Sequence, residues 1–340
     1  MSQEKDLGKY QVRTDLAIEV CKKGINTREI GPIKVTNIVL SDKEGTPIGK
    51  KAGTYVTVEF PDITDYDNRE KITTVFTEEL QKMLQTIKAN EQSTCLVLGL
   101  GNEKTAPDAV GPLVIEKTIV TNHLYVYGKL DPGFRRVWAL SPGVMGETGM
   151  ETSDLIKGVV DVIKPDFAIV VDALASSSIE RVNKTIQMTD AGINPGSGVG
   201  NKRKEISYDT LGIPVIAIGV PTVVDAASIV SDTINYMYKH FAYTKENLDN
   251  PAQKLKVKVN YLKKNVNIAD DDKKNLFGLV GSLSDSEVKS LIYEVLNPVG
   301  YNLMVTPKEE DFVVQKLAEV ISTGLNTALH PEVNNSAKVN

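Results

Sequence analysis

Four apolar runs of strand length constrain this chain more than any other feature: CLVLGLG at 95–101, VWAL at 137–140, FAIVVDAL at 167–174 and PVIAIGV at 214–220. They are apolar almost throughout and do not alternate with polar residues. Strands of that kind are buried on both faces, as in a largely parallel sheet flanked by helices. Helical periodicity lies between or after them, at 109–120, 152–163 and 225–241. Upstream, the β-branched stretches IKVTNIVL (33–40) and TYVTVEF (54–60) flank a Lys/Gly/Pro-rich turn region and read as an N-terminal hairpin with a long loop. Over 64–90 the period changes. Ile72, Val75, Phe76, Leu80, Met83, Leu84 and Ile87 recur three and four residues apart, forming one face of an amphipathic helix.

The expected fold is therefore α/β, with a largely parallel central sheet, an N-terminal hairpin and C-terminal helices. Residues 1–15 are polar, without periodicity, and read as an arm. Residues 16–330 read as a single domain in which 242–275, rich in Lys, Asn and Asp, form an exposed insertion. Ser284-x-x-Glu287 and Thr306-Pro307-x-Glu309 each carry the pattern of a capping box and open one C-terminal helix apiece. Residues 331–340 read as a frayed tail.

A formal charge of −5 gives no sign of a surface that coats nucleic acid or binds membranes. No stretch of about 18 uninterrupted apolar residues occurs, and the N-terminus lacks an apolar signal region, so a soluble intracellular protein is expected. The only cysteines, Cys21 and Cys95, form no Cys-x-x-Cys pair, which excludes a zinc ribbon or a thioredoxin-type site; Cys95 reads as core.

Two glycine-rich stretches raise the question of phosphate binding. Gly99 and Gly101 begin a G-x-G, but Lys104 stands where the third glycine belongs, and Pro107 follows where a helix should open. In GSGVGNKRKE (196–205) a phosphate loop counted from Gly196 would need glycine at Asn201. That segment reads as a surface loop, or as a mobile flap or carboxylate clamp with Gly198, Lys202 and Arg203 as its candidate residues.

Ligands of open parallel sheets bind beyond the carboxyl ends of the strands. Asp108 follows the first apolar run and Asp172 interrupts the third. Thr222 and Asp225 come after the fourth, and the loop after the second, SPGVMGETGMETSD (141–154), holds Glu147, Glu151 and Asp154. Asp172 has core on both sides in sequence, so its carboxylate requires a partner, a proton or a metal; capping a turn is its structural alternative. Two carboxylates meeting at one point cannot both ionise cheaply. Asp108 and Asp172 would then form an acid/base pair that activates water, or would share a cation that does so. His123, His240 and His330 lie at no strand end, and no G-x-S-x-G occurs, so the chemistry is expected to rest on aspartates.

Long blocks of the chain are similar to one family. They are YQVRTDLA (10–17), GLGNEKTAPDAVGPL (99–113), SPGVMGETGMETSD (141–154), VVDALASSSIERVN (170–183), NPGSGVGNKRKEIS (194–207), LGIPVIAIGVPTVVDA (211–226) and NLMVTPKE (302–309). On them the chain resembles the germination proteases of spore-forming bacteria, endopeptidases that degrade small acid-soluble spore proteins. The resemblance implies a homotetramer of the spore core, made as an inactive precursor that trims its own N-terminus. It also implies that the two essential aspartates fall on Asp108 and Asp172. The block around Asp108, with Asn102 after the G-x-G, is similar as well to hydrogenase maturation peptidases, whose metal is held by two carboxylates and a histidine. Here Thr222 and Asp225 are the polar residues available at the third position, and paired aspartates without a tightly held metal are the expectation.

The family's substrates are cut after an acidic residue and before a bulky apolar residue followed by alanine. Asp15-Leu16-Ala17 fits that description, so self-cleavage between Asp15 and Leu16 is expected, releasing residues 1–15. The local alternative is a helix start capped by Thr14 or Asp15, with Glu19 nearby. Two further readings of the whole chain are a metal-dependent peptidase and a non-catalytic module that binds an anion or peptide through the glycine loop.

Overall fold

The structure, a computed structural model, describes residues 14–21, 23–196, 203–249, 268–296 and 303–336. Among the described residues nine strands form one sheet: β1 (Ile25–Ile30), β2 (Ile33–Leu40), β3 (Gly53–Glu59), β4 (Cys95–Gly99), β5 (Val137–Leu140), β6 (Phe167–Ser176), β7 (Thr185–Thr189), β8 (Val215–Asp225) and β9 (Met304–Val305). They lie in the order β1-β2-β3-β7-β8-β6-β4-β5, with β9 paired to β8. The expected α/β architecture is present and the sheet is mixed. β4 pairs in parallel with both β5 and β6, while β1, β2, β3, β7 and β8 form an antiparallel run.

The apolar runs are two-faced, as their lack of alternation requires. Cys95 and Val97 of β4, with Phe167, Ile169 and Val171 of β6, enter one core cluster. That cluster also holds the helices α1 (Tyr66–Thr86) and α6 (Glu310–Leu329), through Phe76, Leu80, Leu317 and Ile321. The intervening residues Leu96, Leu98, Ala168 and Val170 enter a second cluster with Ile156 and Val160 of α3 (Thr152–Ile163). Helix α1 buries six of the seven periodic positions, and Ile87 packs against the cluster from just beyond the helix end. The hairpin of β2 and β3 forms in antiparallel register from Lys34↔Glu59 to Leu40↔Gly53. β1, INTREI, has no sequence signal because all six of its residues are exposed; it exists only by pairing with β2.

Two compact units are distinguished along the chain. The larger comprises 13–223 and 306–340; the smaller comprises 224–305. The smaller contains α4 (Ala226–Glu246) and α5 (Asp285–Leu296), joined through a cluster of Ala227, Val288, Ile292 and Tyr293. Residues 242–246 thus complete a helix, and Asp270–Phe277 form another, while 250–267 of the expected insertion lie outside the described residues. The Ser284–Glu287 capping box forms, with Ser284 N–H and Oγ both donating to Glu287 Oε2 at 2.7 Å. The Thr306 box does not form. Thr306 Oγ1 donates to Thr222 O at 2.9 Å, and α6 starts after Glu309 without a side-chain cap. In the expected tail, Pro331–Ser336 are helical.

The glycines after β4 serve close packing. A Cβ at Gly99 would lie 2.3 Å from Gly111 O, because α2 (Val110–Glu116) crosses directly over the strand end. Gly158, by contrast, is exposed on α3 with open space around it. Gly99→Ala is expected to destabilise by about 1–3 kcal/mol through overpacking. Gly158→Ala is expected to stabilise by roughly 0.5–1 kcal/mol through helix propensity. Thermal melts of the two variants should therefore move in opposite directions.

Candidate active site

β4 and β6 run in parallel as far as Gly99↔Val171, and Leu100 N–H extends the ladder to Val171 O at 2.8 Å. The next residue of β6 is Asp172. It lies inside the strand, since β6 continues to Ser176, but at the point where the paired support of β4 ends. The chain leaving β4 turns at Gly101 (φ +109°) and closes on itself in the turn Ala106–Asp108. A Cβ at Gly101 would lie 2.0 Å from Asp108 O, so only glycine allows this closure. Asp108 Oδ2 accepts the Asn102 N–H at 2.8 Å, and Asp108 N–H donates to Thr105 O at 2.8 Å. Thr222, buried in β8, donates from Oγ1 to Pro107 O at 2.6 Å and pins the turn that carries Asp108.

Burial raises both carboxyls above the ordinary aspartate range, by different amounts. Asp172 is buried and is pushed well up, first by desolvation, then by the charge of Asp108 and then by that of Asp15; only the Ala173 N–H opposes this. Asp108 is raised by desolvation alone, and the Asn102 N–H works against it. Burial thus favours the protonated form at both, and the charge of Asp108 adds to the effect at Asp172. Two carboxyls whose ionisations bear on one another can act as acid and base together.

The remaining candidates divide. Glu147, on the short helix Met145–Thr148, pairs with Lys104 at 2.9 Å and links the loops after β4 and β5. Asp225 makes contacts of its own. It belongs to the smaller unit, caps α4 through Ala227 N–H at 2.8 Å and accepts Tyr293 OH at 2.6 Å. Arg203 contacts Met145 Sδ and lies 3.7 Å from Glu151, and Lys204 pairs with Asp154 at 2.8 Å. Their charges are thus answered within the protein. Gly198 and Lys202 lie outside the described residues. His330 is fully buried as the C-cap of α6 and accepts Arg135 N–H; burial holds its pKa down. Among the described residues, no three His, Cys, Asp or Glu side chains stand together as ion ligands.

Residues 14–21 lie across the same strand as Asp172. Asp15 N–H donates to Ala175 O at 3.0 Å, and Asp15 Oδ2 accepts Ala175 N–H at 2.9 Å. Asp15 O accepts Lys50 Nζ at 2.8 Å and Gln187 Nε2 at 3.2 Å. Gln187 Oε1 accepts Ala17 N–H at 2.7 Å, so this one side chain straddles Leu16. Leu16 and Ala17 are fully buried. A helical turn, Ala17–Val20, follows without a side-chain cap, and neither Thr14 nor Asp15 is its N-cap. Lys50 and Gln187 carry no sequence signal for these contacts: Gln187 lies 172 positions from Asp15 and only the fold joins them.

A germination protease family model matches residues 4–340. The chain belongs to the germination protease family. It is 48% identical to the germination protease of Bacillus velezensis, 46% to that of Bacillus subtilis and 44% to that of a Geobacillus species, covering 98% of both chains in each case. A NiFe hydrogenase maturation protease from Thermococcus kodakarensis aligns over 42% of this chain and 80% of its own, at 19% identity and a TM-score of 0.28. The germination proteases are peptidases, and no helix among the described residues of this member is long and apolar enough to cross a membrane.

The raised Asp172 carboxyl has a consequence for stability. A folded-state pKa above the unfolded value means that the native state holds the proton more tightly, so stability falls as pH rises from the unfolded aspartate range through the folded pKa. Asp172→Asn removes this dependence. Its melting temperature is expected to exceed the parent's at neutral pH, with the difference closing as pH falls toward about 4. Equal differences at both pH values would contradict the assignment.

Proposed function

We propose that this germination protease is a self-processing endopeptidase whose catalytic groups are Asp108 and Asp172. It is made as an inactive precursor, cuts its own chain between Asp15 and Leu16, and then opens small acid-soluble spore proteins during germination. The observation that carries the reading is placement: Asp172 follows the last residue of β6 paired to β4, and Asp108 sits on the turn that leaves β4, with the Asp172 carboxyl pushed up in part by the charge of Asp108. In the reaction Asp108, as carboxylate, takes a proton from water while the water oxygen bonds to the carbonyl carbon. Asp172, as carboxylic acid, gives its proton to the leaving nitrogen as the C–N bond breaks. The Asn102 main-chain N–H and the Thr222 hydroxyl hold the Asp108 turn in register.

Substrates present an acidic residue before the cut and a bulky apolar–alanine pair after it, the pattern of Asp15-Leu16-Ala17. The proposal includes assembly as a homotetramer within the spore core. The reaction as written draws on no cofactor. It involves no nucleic acid and no membrane.

Asp108→Asn and Asp172→Asn are each expected to lower self-trimming and hydrolysis of an acidic–apolar–Ala peptide by roughly 10²–10⁴-fold while the protein stays folded. Mass spectrometry of the precursor incubated in mild acid should find the new N-terminus at Leu16. A chelator should leave the parent's rate unchanged; loss of activity on chelation, with rescue by added metal, would favour the metal-dependent reading.

A further inference from the structure

We infer that cleavage between Asp15 and Leu16 creates a buried ion pair between the new Leu16 α-ammonium and Glu19, and that this pair ties the trimmed N-terminus to the strand carrying Asp172. The inference rests on the cleavage site proposed above. In the uncut chain one hydroxyl occupies the place of the bond to come. Thr14 Oγ1 accepts Leu16 N–H at 3.0 Å and donates to Glu19 Oε2. Hydrolysis adds the elements of water across the bond: Asp15 gains a carboxyl group, and Leu16 gains an amine that takes up a proton. Thr14 leaves with the released segment. The new ammonium and the Glu19 carboxylate then face each other across the space of a single oxygen.

Glu19 is held for this role. Its side chain is buried and accepts Ser176 Oγ at 2.7 Å, Ser177 N–H at 2.8 Å and Ser177 Oγ at 2.8 Å, with Arg181 Nη1 at 3.4 Å. Ser176 ends β6, four residues beyond Asp172. Leu16 and Ala17 are already fully buried, and Gln187 retains its bond to Ala17 N–H after the cut, so the new terminus stays where it is formed. A bond between two charged groups thereby replaces one in which only the acceptor was charged.

The cut also reverses the charge beside Asp172. Before it, the groups facing one another here are Asp15 and Glu19 against Lys50 and Arg181, with Glu59 on the far side of Arg181. Afterwards the Asp15 carboxylate is gone and a cation has been added. Lys50 simultaneously loses both of its acceptors, the carbonyls of Thr14 and Asp15. Asp172 no longer faces Asp15, the lesser of the two anions that disfavour its ionisation, while Asp108 remains, so the two-carboxyl site is retuned by the same event that frees the terminus.

The test uses the full chain with a processing-protease site inserted directly before Leu16, so that the amine can be released independently of self-cleavage. A second form keeps one extra serine ahead of Leu16. The form that begins at Leu16 is expected to hydrolyse a reporter peptide at least about tenfold faster than the extended form. Glu19→Gln should abolish that advantage while adding little in the extended form, and an amine-acylating reagent at neutral pH should label Leu16 only when Glu19 is changed. Equal rates for the two forms, or a Leu16 amine labelled as readily as in the unfolded chain, overturn the ion pair alone. Mass analysis showing that the unmodified precursor cuts elsewhere overturns the cleavage site and, with it, this inference. Loss of peptide hydrolysis in Asp108→Asn with the labelling pattern intact would leave the ion pair standing.

Discussion

The desolvation of Asp172 governs the rest of the site. A carboxylate in a strand covered on both faces loses its water, and an unpaired charge in that position costs several kcal/mol. The charges that reach it, from Asp108 and Asp15, are both negative. The cheapest state is the protonated one. A strand that would otherwise be uniform core thereby carries a carboxyl whose hold on a proton is strengthened by burial and by the charge of Asp108. Titrating groups perturbed in this way mark functional sites more often than structural ones.

The fold protects this arrangement by crowding. Glycines at 99, 101 and 111 let helix α2 and the Asp108 turn approach the end of β4 at distances no Cβ would allow. The Thr222 hydroxyl anchors the same turn from β8. Asp108 therefore owes its position to backbone contacts and not to a salt bridge, and its charge bears on Asp172.

Under the proposed self-cleavage, the strap of residues 14–21 would join regulation to chemistry through one strand. β6 supplies Asp172 to the site, Ala175 to Asp15, and Ser176 to Glu19. Removing residues ahead of Leu16 changes hydrogen bonds and charge at positions three and four residues from the acid. No large movement of the sheet is needed for the cut to be felt.

Sequence alone determined the layered α/β plan, because an apolar run without alternation admits few solutions other than a strand buried on both sides. It singled out Asp108 and Asp172 for the same reason, since polar groups inside or just beyond such runs are expensive and stand out. The capping boxes show the limit of local pattern: Ser284 formed its box, whereas Thr306 found a better acceptor in Thr222 O, a residue 84 positions away. Asp225 looked equivalent to the other strand-end aspartates and became a helix cap. Only the tertiary structure decided which aspartates affect one another, that Lys50 and Gln187 hold Asp15, and that Glu19 lies one hydroxyl from Leu16. Those facts depend on packing between segments remote in the chain, and hydrophobic periodicity, which reports burial, carries no information about which buried groups meet.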